Sequence, residues 1–72
     1  MYKIISEDLY HYPYVILELI NITTSEKGLW CYWVELHDEL CEQYHVKRLD
    51  CVIMDELPEK GGWITEEEVR KL

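Results

Sequence analysis

The sequence predicts a small α+β domain: an antiparallel sheet of about four strands, one helix after the third strand and a short C-terminal helix. Its 72 residues suit a single domain, and a hydrophobic content of 49% is enough for a folded core. Apolar runs with the two-residue alternation of strands are separated by short turn signals, the first of them Glu7-Asp8. A helix-start signal lies near the C-terminus. We therefore treat residues 1–72 as one small acidic domain.

The first two strands are the simplest to assign. Residues 2–5 form a short run of aromatic and β-branched character. Residues 14–23 are the clearest strand, because apolar side chains occupy both of its alternating faces. Such a strand is typical of a sheet covered on both sides. A chain of this length has little material for covering two faces, so a second copy of the chain is one way to supply it.

The segment 29–45 permits two interpretations. As a single helix, it would place its aromatic and apolar side chains on one stripe, at spacings of three and four residues. As a strand followed by a helix, residues 29–36 would pair with the preceding strand and residues 38–45 would be helical. Trp, Tyr, Cys and Val favour the strand, whereas residues 38–43 are better helix formers. The strand-then-helix interpretation is preferred, and the single helix stays as the alternative.

The C-terminal third predicts one more strand and a capped helix. Residues 46–54 return to strand character, and Trp63 follows a Pro-Glu-Lys-Gly-Gly turn as an apolar anchor that we expect in the core. Thr65 and Glu68 have the spacing of a capping box, in which each side chain bonds the other residue's amide. Acids at the helix start also favour the positive end of the helix dipole. This signal predicts a short helix and says nothing about function.

The net charge excludes several classes of partner. Fifteen acids against seven Lys and Arg give a formal charge of −8. Nucleic-acid backbones and anionic membranes attract clustered Lys and Arg, so we expect neither as a direct partner. Three cysteines cannot all pair within one chain, and no signal-peptide pattern is present. These observations predict reduced thiols and a cytoplasmic location.

One cluster has metal-ligand types at regular spacing. His37, Cys41 and His45 are four residues apart and would project from one face of a continuous helix. A fourth ligand would have to come from Cys31, Cys51 or His11. The spacing is far less specific than paired CxxC motifs, and Cys41 packing as a small hydrophobe is the simpler explanation. We expect no metal and no cofactor.

Nucleophilic catalysis by Cys41 with a neighbouring histidine has little support. A catalytic thiol needs a lowered pKa, whereas the acids around Cys41 would raise it. No glycine-rich elbow or phosphate loop occurs in the chain. The sequence therefore predicts a protein without enzymatic activity.

Two groups of residues are candidates for a binding surface. The first is an acidic cluster: Glu35, Asp38, Glu39 and Glu42. The second is a run of tyrosines that is hard to bury completely: Tyr10, Tyr12 and Tyr14. Acids on one side of a small domain either keep it soluble or attract a basic partner, and tyrosines favour interfaces.

Together these observations predict a non-enzymatic acidic module that binds or inhibits a larger protein through that protein's basic surface. In size, charge and low cysteine content the chain resembles the small acidic inhibitors that phages and mobile elements use against host defence, anti-CRISPR proteins among them. That resemblance implies a nucleic-acid mimic in a groove that ordinarily holds DNA or RNA. The alternatives are a homo-oligomeric structural or regulatory subunit, for instance a homodimer, and a small Cys/His metal-binding module.

Overall fold

A five-stranded antiparallel sheet and two helices make up the computed structural model, which describes all 72 residues. The strands are β1 (Tyr2–Asp8), β2 (Tyr14–Asn21), β3 (Lys27–Trp33), β4 (Ile53–Met54) and β5 (Gly61–Ile64), and the helices are α1 (Val34–Gln43) and α2 (Glu66–Arg70). The strand order across the sheet is β4-β1-β2-β3-β5. The predicted α+β class, the helix after the third strand and the short C-terminal helix are confirmed.

The segment 29–45 is a strand followed by a helix, so the single-helix alternative is wrong. The boundary lies between Trp33 and Val34, several residues earlier than predicted. Trp33 keeps an extended backbone, and the Val34 amide donates a hydrogen bond of 2.9 Å to the Pro13 carbonyl in the β1–β2 turn. This contact satisfies one of the free amides at the helix start without a side-chain cap.

The predicted strand 46–54 is wrong over most of its length, because only its last two residues pair with β1. Helix α1 ends in a Schellman motif, in which the Val46 amide bonds the Cys41 carbonyl at 3.0 Å and the His45 amide bonds the Glu42 carbonyl at 3.2 Å. His45 has a φ of 56° there, and Cys51 has a φ of 69°. Backbone of this kind is incompatible with a continuous strand.

Strand β1 contains a bulge that decides which side chains reach the core. Ile4 pairs with Leu19 and Glu7 pairs with Leu17, while Ile5 has no partner in β2. Residues three apart lie on opposite faces of a regular strand. The unpaired residue shifts the alternation, so Ile4 and Glu7 both face the same side as the fully buried Leu17 and Leu19.

The core lies between one face of the sheet and a cover made by α1 and the loop that follows it. Its members are Ile4, Val15, Leu17, Leu19, Trp30, Tyr32, Leu40, Leu49 and Met54. The other face of the sheet is less covered: Ile16 is buried there, but Trp33 and Ile53 are 54% and 49% exposed. Strand β2 was expected to be covered on both sides. The structure covers it fully on the face that packs against α1 and only in part on the other face.

Strand β5 and helix α2 complete the fold. The core position expected for Trp63 is wrong, because β5 is an edge strand and leaves the indole 54% exposed, with its ring edge-on to Trp30 at 5.2 Å. The capping box is confirmed, with Glu68 and Thr65 each accepting the other's amide hydrogen bond at the start of α2. Neither helix is long and apolar enough to cross a membrane.

Candidate functional site

The outer side of α1 is an acidic surface. Its members, here called the acidic face, are Glu35, Asp38, Glu39 and Glu42. All four are exposed, while His37 and Leu40 on the inner side of the same helix are buried. None of the four carboxylates takes part in an ion pair, since the ion pairs of the molecule use other acids. Solvent screens these charges, together with Lys60, which lines a depression with Glu35 and Glu39, and Lys47, which lines another with Asp38 and Glu42.

A groove of about 640 Å³ runs between α1 and the loop 53–60. Its floor is apolar and includes Leu36, Leu40, Tyr44, Met54 and Leu57. Its walls carry the acids Glu39, Asp55, Glu56 and Glu59, with Lys60 as the only basic residue. The fold thus joins the acidic face to a second acidic cluster across an apolar floor. We call this feature the acidic groove.

The tyrosine run lies beside the start of the acidic face. Tyr10 and Tyr12 are 94% and 79% exposed in the β1–β2 turn. Tyr14 is half-buried, and its ring packs on Trp33 with 5.0 Å between centroids. Because Trp33 immediately precedes α1, the aromatic turn and the acidic face form neighbouring surfaces. The six other predicted binding residues are thus exposed, and Tyr14 takes a partly structural position.

A polar network that the sequence did not indicate lies under α1. The His37 ring is held on both sides, with Nδ1 at 2.9 Å from the Tyr32 hydroxyl and Nε2 at 2.9 Å from Oε1 of Glu7. The Glu7 side chain is completely buried. It also accepts hydrogen bonds from the Arg48 guanidinium at 3.2 Å and the Leu49 amide at 3.4 Å. The buried carboxylate is therefore fully hydrogen-bonded.

Burial, with smaller contributions from the charges of Glu7 and Cys41, raises the pKa of the Tyr32 phenol well above its ordinary value. The hydroxyl accordingly stays protonated at neutral pH. Cys41 lies on the other side of the ring, with Sγ at 3.7 Å from Nε2 of His37. Burial, followed by the negative charges of Glu7 and Asp38, raises the pKa of this thiol.

The cysteine, histidine and glutamate do not form a nucleophile–base–acid relay. In such a relay the nucleophile and the acid bond opposite nitrogens of the imidazole. Here Cys41 and Glu7 both face Nε2, and Nδ1 faces Tyr32. The thiol also has a raised pKa, the reverse of what an attacking cysteine needs.

The metal-ligand residues that lie together in the structure differ from the set considered in the sequence, which was His37, Cys41 and His45. The donor atoms that converge belong to Glu7, His37 and Cys41 and lie within 4.8 Å of one another. His45 is outside this group, because α1 ends before it and its backbone turns into the left-handed region. The sequence places Glu7 in a turn signal, and only the bulge in β1 directs its side chain into the core.

Comparisons of the chain with family models, with curated proteins and with solved structures found no match.

Proposed function

We propose that the protein is a non-enzymatic binding module whose acidic face and acidic groove occupy a basic surface of a larger protein. The observation that carries this proposal is the set of four exposed, unpaired carboxylates on α1, continued across the groove by Asp55, Glu56 and Glu59. Like charges held together on a small domain cost stability. A partner of opposite charge relieves this repulsion.

The apolar floor of the groove adds short-range complementarity to this charge. Lys and Arg side chains have apolar stems and charged ends, so they can cover the partly exposed Leu36 and Leu57 while reaching the acids on the walls. Tyr10 and Tyr12 are exposed in the β1–β2 turn and can act as aromatic anchors. In this arrangement, the acids attract the partner over distance and the groove and tyrosines slow its release.

The charge spacing on α1 supports a partner that ordinarily binds DNA or RNA. Glu35, Asp38, Glu39 and Glu42 lie about 4.5, 1.5 and 4.5 Å apart along the helix axis, a mean of about 3.5 Å for each negative charge. One strand of duplex DNA presents a phosphate about every 3.4 Å. With its small size and charge of −8, the chain has the properties of an inhibitor of the phage or mobile-element type that mimics nucleic acid.

Charge reversal on α1 should weaken binding strongly. The partner would be captured from host lysate, identified by mass spectrometry, purified and measured by biolayer interferometry. Replacing Asp38, Glu39 and Glu42 with lysine is expected to lower affinity by about 100-fold or more, which corresponds to about 3 kcal/mol. The matched control reverses Glu26, Glu66 and Glu67, which are exposed elsewhere. It carries the same net charge and should bind within about threefold of the wild type.

Salt and competition separate the parts of this proposal. Because screening is stronger at about 500 mM salt than at about 50 mM, the association rate should fall far more than the dissociation rate rises. Equal binding at both salt concentrations would leave the acids as solubilising residues only. Duplex DNA or RNA should compete for the partner. A partner that binds the acidic face but is not displaced by nucleic acid would contradict nucleic-acid mimicry. The proposal that the acidic face binds a basic partner would stand.

The less covered sheet face favours a second candidate function, that of a homo-oligomeric subunit. Ile5, Trp33 and Ile53 are 39%, 54% and 49% exposed, although large apolar side chains are usually buried. In this case, light scattering at tens of micromolar should give the mass of a dimer, and the unfolding midpoint should rise with concentration. A monomer with a concentration-independent midpoint would rule out this candidate and leave the inhibitor proposal unaffected.

A further inference from the structure

Three metal-ligating side chains converge between the sheet and α1. Sγ of Cys41 and Oε1 of Glu7 lie 3.7 Å and 2.9 Å from Nε2 of His37. His37 and Cys41 are one helical turn apart and therefore project from the same face of α1. The bulge at Ile5 brings Glu7 to them from β1. The donor set is one thiolate, one imidazole and one carboxylate.

We propose that Glu7, His37 and Cys41 form a site for a single zinc ion, with a water molecule as the fourth ligand. This proposal replaces the sequence-based expectation that no metal binds. That expectation rested on His37, Cys41 and His45, a set without a buried carboxylate. The carboxylate that completes the set comes from a distant strand.

The distances between the donor atoms suit tetrahedral zinc. Ordinary zinc–ligand bonds would place the sulfur about 3.5 Å from the nitrogen, and the nitrogen about 3.3 Å from the oxygen. The observed separations are 3.7 Å and 2.9 Å. The third pair, Sγ and Oε1, lies within 4.8 Å, so modest side-chain movements that draw these two atoms together would admit the ion.

The charges of the cluster also suit a dication. The hydrogen bond between His37 and Glu7 holds a proton at the centre of the site, and Cys41 carries a second one on its thiol. Zinc would release the Cys41 thiol proton to solvent, while the imidazole hydrogen of His37 would move from Nε2 to Nδ1. The ion would then bond Nε2, Oε1 and Sγ and neutralise the charges of the carboxylate and the thiolate. The buried carboxylate of Glu7 favours a bound cation at this position.

Neighbouring groups already hydrogen-bond and orient the ligands, as the partners of ligands do in zinc sites. With the metal on Nε2, Nδ1 of His37 donates its hydrogen to the Tyr32 oxygen at 2.9 Å. Arg48 bonds Oε2 of Glu7, which leaves Oε1 directed at the site. His37 and Cys41 also line an open surface depression with Asp38, Glu42 and His45. This depression gives the ion and its water a path from solvent.

Cobalt and zinc titration of the untagged full chain tests the proposal. After removal of metals with a chelator, Co²⁺ should bind at one ion per chain and give a thiolate-to-cobalt charge-transfer band, which Zn²⁺ then abolishes by displacement. Zn²⁺ should also protect Cys41, but not the exposed Cys51, from alkylation. Absence of one-to-one binding, or equal alkylation of Cys41 with and without Zn²⁺, would overturn the proposal.

Matched cysteine variants assign the site. Cys41→Ser should abolish the charge-transfer band and weaken Zn²⁺ binding by more than about 100-fold, since even the loss of a residue that only orients a ligand costs about 10–100-fold. Cys51→Ser is the control and should bind within about threefold of the wild type. Glu7→Gln should weaken binding while the thiolate band is retained at saturating Co²⁺. Far-ultraviolet circular dichroism confirms that each variant is folded. Wild-type affinity in Cys41→Ser, or an equal loss in Cys51→Ser, would contradict the assignment.

Discussion

The Glu7→Ala variant is expected to have a free energy of unfolding about 3–5 kcal/mol below that of the wild type. The carboxylate is completely buried and bonds the His37 ring, the Arg48 guanidinium and the Leu49 amide. Its removal leaves the buried Nε2 of His37 with only the Cys41 sulfur at 3.7 Å and opens a gap beside Leu17. Arg48 is 64% exposed, so the loss of its ion pair contributes the smaller part.

This loss is large for a chain of 72 residues, whose total stability is expected to be about 4–11 kcal/mol. Urea denaturation followed by tryptophan fluorescence, in the presence of a chelator, measures it without a metal contribution. Glu35→Ala is the matched control, because Glu35 is an exposed and unpaired acid. Its effect should stay within about 0.5 kcal/mol. A Glu7→Ala midpoint equal to that of the control would show that the buried network contributes nothing.

Gly61→Ala is expected to lower the free energy of unfolding by about 1–3 kcal/mol. A methyl group at Gly61 would collide with Nε1 of Trp30 and lie 2.9 Å from the Cys31 carbonyl oxygen. Trp30 belongs to the core and the carbonyl belongs to β3, so neither can move without separating β5 from β3. The cost therefore comes from lost packing at this edge of the sheet.

The neighbouring Gly62 provides the control for this prediction. No atom lies within 4 Å of a methyl group added at Gly62. Gly62→Ala should therefore be neutral, or stabilising by a few tenths of a kcal/mol, because alanine restricts the unfolded chain more than glycine does. Both variants change a glycine in β5, so the difference between them isolates the collision. Equal unfolding midpoints for the two variants would contradict this explanation.

Local interactions account for what was predictable from the sequence. The capping box at Thr65 uses atoms only three residues apart, so the sequence shows it directly. The alternation in β2 and the strand and helix preferences on either side of Val34 are also local properties. The exposure of Tyr10, Tyr12 and the acids of α1 follows from side-chain polarity and helical spacing.

Long-range pairing decided the features that the sequence did not reveal. Residues 46–52 have strand-forming side chains, yet the left-handed turns at His45 and Cys51 make them a loop that buries Leu49. The acidic groove exists only because the following residues, 53–60, return beside α1. Patterns in a single sequence reflect neighbouring residues and carry no information on contacts between distant segments.

Glu7 shows most clearly the division between sequence and tertiary structure. By itself, the sequence determined a small acidic α+β domain with its strongest helix cap, its clearest strand and its charged surface, because those depend on neighbouring residues. Strict alternation from the buried Ile4 would turn Glu7 to solvent. The bulge at Ile5 turns the Glu7 side chain to the core side of the sheet. Only in the folded chain do α1 and the loop after it then place hydrogen-bond donors beside the Glu7 carboxylate. Burial of a carboxylate depends on those partners, so the tertiary structure alone decided the inner site.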